Sequence, residues 1–121
     1  MSDTTEALSP VQIERAIRDT ANRISKSVQE CADRYAAYLT ADREYDHAFA
    51  VAYMRHDGPQ TEKRYAAERA TKQQREQRDV ADAAYRLADR RAKALESELR
   101  ALQSVGASVR GQYAVAGRGE W

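Results

Sequence analysis

One pattern limits what this chain can become. Ala81, Tyr85, Ala88, Ala92, Leu95, Leu99, Leu102, Gly106, Val109 and Tyr113 follow one another at alternating steps of four and three residues. Such steps put side chains along one stripe of an α-helix, whereas a strand, with its period of two, scatters them over both faces. Every rung except Gly106 is apolar or aromatic. The seam therefore predicts a long helix with a narrow apolar edge, the a/d pattern of a coiled coil.

The rest of the chain agrees. Ile13, Ile17, Ile24, Val28, Cys31, Tyr35, Tyr38, Tyr45, Phe49 and Ala52 form a second ladder, with Thr20 and Asp42 as polar rungs. Ser9, Pro10 and Gln12 read as N-cap, first helical residue and capping-box partner, and Leu8 and Ile13 are spaced as a hydrophobic staple. No Gly or Pro interrupts residues 11–57, so this segment is one helix, or two that part near Thr40 to Asp42. His56-Asp57-Gly58-Pro59 is the strong break. Thr61 is the expected cap of a second helix that runs beyond Val109. The reading is an all-α protein: two long helices in a helical hairpin that forms a coiled-coil-like oligomer through the second helix. Residues 1–8 are a polar lead-in, 9–110 the hairpin with its turn near 57–60, and 111–121 a glycine-containing tail expected to fray, with Trp121 free to dock on a partner.

Self-association is expected from what the chain lacks. Only 17 of its 121 residues are Leu, Ile, Val or Phe, and 23 alanines do not replace them. A core that small leaves a single chain poorly stabilised. Ala88, Ala92, Leu95, Leu99, Leu102, Gly106, Val109 and Tyr113 are the candidate oligomer interface, although packing of the second helix on the first within one chain explains the same seam. The small-residue run Ser104 to Ser108 allows close approach of helix backbones.

Catalysis finds no support. His47 and His56 are the two histidines, and no Cys, His and carboxylate cluster has metal-site spacing. No glycine loop suits a phosphate, and no cofactor is implied. Cys31, the single cysteine, sits on the apolar ladder as a packed thiol. It excludes an intrachain disulfide framework, and a reducing cytoplasm is the simplest setting. No apolar run approaches a membrane span, and the acidic N-terminus does not read as a signal peptide.

Charge is uneven. The formal net is +1, but residues 55–78 hold seven basic and four acidic side chains, a local +3 that leaves −2 for the rest. Arg43, Tyr53, Arg55, Lys63, Arg64, Lys72 and Arg75 are the candidate nucleic-acid-binding residues. Cations meet phosphates there, and Tyr53, His56 and Tyr65 offer faces for single-stranded bases. A solvated helix face is the bland alternative for the same charges.

The order of these segments resembles phage recombination mediators of the UvsY type. The resemblance spans residues 30–116. An aromatic stretch, Ala50-Val-Ala-Tyr53-Met, ends one helix, and an Arg55-His-Asp-Gly58 turn follows. A charge-rich helix centred on Tyr65 comes next, then Leu102-Gln-Ser-Val-Gly-Ala-Ser-Val-Arg110. The last segment is also similar to short helical proteins of many phages. The resemblance implies a non-catalytic protein in a hexameric or heptameric ring, acting in a bacterial host's cytoplasm. It further implies binding of single-stranded DNA and assistance to a RecA-like recombinase in displacing single-strand-binding protein. The family's Lys-x-Arg pair is missing, since His47-Ala48-Phe49 stands in its place. Either DNA contacts move to Arg43, Arg55, Lys63 and Arg64, or DNA binding is absent. A coiled-coil scaffold, chaperone or virion assembly protein without nucleic acid is the alternative function.

Overall fold

The computed structural model describes residues 9–119, with side chains through Gly117. All described elements are helices: α1 (Pro10–Arg55), α2 (Gln60–Ala70) and α3 (Lys72–Gly119). The lead-in at 1–8, the Leu8 staple and Trp121 lie outside the described residues.

Local chemistry sets the first boundary. The Gln12 backbone N–H donates to Ser9 Oγ at 3.2 Å, and the Ser9 N–H donates to Gln12 Oε1 at 2.9 Å. This reciprocal box satisfies two of the donors that a helix start leaves open. From Pro10, α1 continues without a break at Thr40 to Asp42. Asp42, half-exposed on this helix, lies 3.9 Å from Arg78. The turn at 56–59 turns on Gly58, whose φ of +146° suits a residue without a Cβ.

The second boundary corrects the expected cap. Helix α2 begins at Gln60, with Pro59 as its N-cap and no side-chain capping bond. Thr61 therefore sits inside the helix. The Lys63 N–H bonds the Pro59 carbonyl instead, at 3.0 Å.

The second helix of the sequence reading is two helices, because it bends at Thr71. This residue has φ −113° and ψ 16°, outside the helical values. Its hydroxyl donates to the Ala67 carbonyl at 2.7 Å, and its N–H donates to the same oxygen at 3.1 Å. Such back-bonding by Thr bends helices. The Arg75 N–H still reaches the Thr71 carbonyl at 3.0 Å, so the backbone stays hydrogen-bonded through the bend.

The tail differs too, since α3 reaches Gly119. Residues 112–116 contain no Gly or Pro. A helix already nucleated upstream extends through a lone Gly111 at a cost of about 1 kcal/mol.

The chain divides into two compact units. In Met1–Val28 with Arg91–Trp121, α1 and α3 meet antiparallel: Ile13 and Ile17 lie against Gly106, and Arg23 is 3.7 Å from Glu98. Ile13 is 1% exposed, and burial of such a side chain stabilises by about 1.5–3 kcal/mol. Thr20 and Ser27, each seven residues on, are buried on the same stripe. The Ser27 hydroxyl donates to the Ile24 carbonyl at 2.7 Å, so its burial leaves no open donor. In Gln29–Arg90, the order is again antiparallel, from Tyr35 on Tyr85 to Tyr53 beside Lys63. Ala67, Thr71 and Ala88 are buried in this unit.

Glycine substitutions test the close approach. A Cβ at Gly106 would stand 3.2 Å from Ile13 Cγ2, whereas one at Gly111 meets nothing within 4 Å. Gly106→Leu is expected to lower the unfolding free energy by about 1–3 kcal/mol through overpacking. Gly111→Ala is expected to raise it by about 0.5–1 kcal/mol. Urea titrations followed by circular dichroism measure both. Equal effects at the two sites would contradict this packing.

Candidate nucleic-acid interface

The end of α1 carries an aromatic row because Tyr45, Phe49 and Tyr53 recur every four residues on one face. Ring centroids are 6.1 Å apart for Tyr45 and Phe49, and 6.4 Å for Phe49 and Tyr53. Each end of the row meets a cation. The Arg78 guanidinium carbon lies 4.6 Å from the Tyr45 ring centroid. The Lys63 Nζ lies 5.6 Å from that of Tyr53.

These two cations differ. Arg78 is held by Asp79 at 3.3 Å and Asp42 at 3.9 Å. Desolvation pulls its pKa down, but the Asp79 hydrogen bond and the carboxylate charges of Asp79 and Asp42 outweigh this and hold it above its ordinary value. It is a fixed structural charge. Lys63 has no carboxylate partner among the described residues, and Arg64 has only Glu68 at 4.0 Å, with both side chains mostly exposed. An exposed pair of that kind contributes little.

The turn brings three of the seven candidate residues together. Tyr53 lies under Lys63, and Tyr53 and Arg64 line one recess of about 300 Å³ with Phe49, Gln60 and Thr61. Arg55 lines a different recess, of about 490 Å³, with His47 and His56 over Val51, Ala52 and Ala66. Arg43, Lys72 and Arg75 are exposed, make no ion pair among the described residues and line neither recess. Tyr65 is exposed, with the Arg64 guanidinium carbon 5.2 Å from its ring centroid.

Phe49 and His47 were not among the sequence candidates, whereas His56 was read there as a stacking face. A signal for both existed: Phe49 precedes Tyr53 by four residues, and His47, Val51 and Arg55 follow the same step. Among the described residues, no three His, Cys, Asp or Glu side chains are grouped to hold a metal ion. No described helix is long and apolar enough to cross a membrane.

The candidate oligomer residues face a different setting. Ala88 and Gly106 are buried inside the chain itself. Ala92, Leu95, Leu99, Leu102 and Val109 are half-buried, and Tyr113 is exposed. Packing of α3 on α1 thus occupies much of the seam within one copy.

No family model matches the chain, and no curated protein or solved structure matches it.

The two kinds of cation predict different responses. Arg78→Lys keeps the charge but loses the planar fork over Tyr45, and is expected to cost about 0.5–2 kcal/mol in urea unfolding. Arg86→Lys alters an exposed pair with Asp82, at 3.1 Å, and is expected to stay within about 0.5 kcal/mol. A larger loss at Arg86 than at Arg78 would overturn this ranking.

Proposed function

We propose that this chain is a non-catalytic, homo-oligomeric protein that binds single-stranded DNA at its turn end. In this reading it acts as a recombination mediator that assists loading of a RecA-like recombinase against single-strand-binding protein. The observation that carries the reading is the Phe49–Tyr53 face beside Lys63 and Arg64. Two neighbouring aromatic rings offer stacking surface to unpaired bases, and two cations without a strong acidic partner offer charge to the adjoining phosphates. A duplex hides its base faces, so such a site favours single strands.

Arg43, Arg55, Lys72 and Arg75 extend the positive field around this centre without a shared recess. Repetition of the turn end in an oligomer multiplies phosphate contacts and raises avidity without new chemistry. The wide exposure of Val80 and Leu87 favours, as a second reading, a helical scaffold or virion assembly protein that uses only protein partners. Co-purification with a virion protein and no affinity for DNA would favour that second reading.

Fluorescence anisotropy with a labelled single-stranded oligonucleotide and an unlabelled duplex competitor tests the first reading. Salt-sensitive binding that resists the duplex is expected. Joint charge reversal at Lys63 and Arg64 should weaken binding at least ~10-fold and reduce the salt slope by about 1.4, from roughly 0.7 per phosphate contact. No binding at low salt defeats the proposal, and unchanged affinity in the variant moves the site elsewhere.

A further inference from the structure

The seam of α3 is largely occupied by α1, yet α3 carries a second apolar stripe. Val80 is 69% exposed and Leu87 is 49% exposed. Ala83 lies exposed between them and Ala84 half-buried. Val80 and Ala84 also border a groove of about 530 Å³, shared with Ala37 and Arg34 of α1 and Glu76 of α3. Val80, Ala84 and Leu87 follow a four-three step, so all three lie on one face of the helix.

The order of residues along the stripe is self-complementary. Val80 and Leu87 stand equally far from the midpoint between Ala83 and Ala84, and Glu76 and Arg91 stand equally far beyond them. A two-fold axis at that midpoint sets an antiparallel copy of α3 so that each Val80 faces the other copy's Leu87. The same axis sets each Glu76 opposite the other copy's Arg91. The alanines at the crossing point let the backbones approach closely. Glu76 and Arg91 make no ion pair within the chain among the described residues. A like-for-like contact of this kind needs self-complementary chemistry, and this stripe has it in both shape and charge.

We infer that the Val80–Ala84–Leu87 face of α3 is the contact through which a second copy of this chain docks, antiparallel and two-fold symmetric, with Glu76 paired to Arg91 across the interface. The inference rests on the proposed self-association and not on DNA binding.

Sedimentation velocity on the full chain over a concentration series tests it, with light scattering for the mass. The expected result is a dimer or an even multiple of it. Leu87→Asp should raise the dissociation constant at least ~10-fold while the helical circular dichroism spectrum is kept, because Leu87 is not part of the buried core. Glu76→Arg and Arg91→Glu should each weaken association, and the double variant should restore it, which a merely structural role would not produce. If Leu87→Asp fails to fold, this charge exchange decides the matter alone, since both positions are exposed. A wild-type chain that stays monomeric overturns self-association and this face together. An oligomer indifferent to Leu87→Asp and to the charge exchange overturns this face alone. A seven-copy mass also overturns it, because two-fold contacts join copies in even numbers.

Discussion

The structure depends on helices that touch through small side chains. Gly106 lies so close to Ile13 that an added Cβ would stand 3.2 Å from its Cγ2 and push it by a few tenths of an ångström, and Thr20 and Ser27 continue the stripe at heptad spacing. Ala67, Thr71 and Ala88 do the same in the other unit. Small residues permit close backbone approach and many van der Waals contacts, but they remove little apolar area from water. The polar ones need local partners as well. Ser27 and Thr71 find them in carbonyls of their own helices, which is why hydroxyls are tolerated in a core this thin.

A thin core has consequences for the surface. Large apolar side chains that a broader core would cover, such as Val80 and Leu87, remain in solvent. Anything that bound this open apolar area in the folded chain alone would add to its stability by mass action. The charges divide in a similar way. Arg78 is held between an aromatic ring and two carboxylates and serves the fold. Lys63 rests on an aromatic ring without a carboxylate partner among the described residues, and is available to an outside anion.

Features that depend on a few neighbouring residues were legible in the chain. The Ser9–Gln12 box and the break at His56 to Pro59 need only local hydrogen bonds and dihedral preferences, and both stand where the pattern placed them. Thr71 was not legible as a bend. Thr occurs in straight helices too, and its back-bond matters here because the residue is buried among other elements. Thr61 misled for a related reason: Pro59 already fixes the backbone at the helix start, which leaves no role for a hydroxyl two residues later. At the candidate site, the aromatic row could be read from its four-residue step. Its meeting with Lys63 and Arg64 could not, because that depends on the direction in which the turn returns α2.

The sequence by itself determined that this chain is helical, where its first helix starts, where the main turn lies and that its positive charge gathers near that turn. Those properties follow from propensity, capping and composition, which act over one or two turns of helix. Only the tertiary structure decided which apolar stripe of α3 the chain uses for itself. The heptad seam and the Val80–Leu87 stripe both lie on the same helix, and both are plausible contact surfaces when it is considered alone. Burial is a property of pairs: the seam meets small residues and isoleucines on α1, and the other stripe stays exposed.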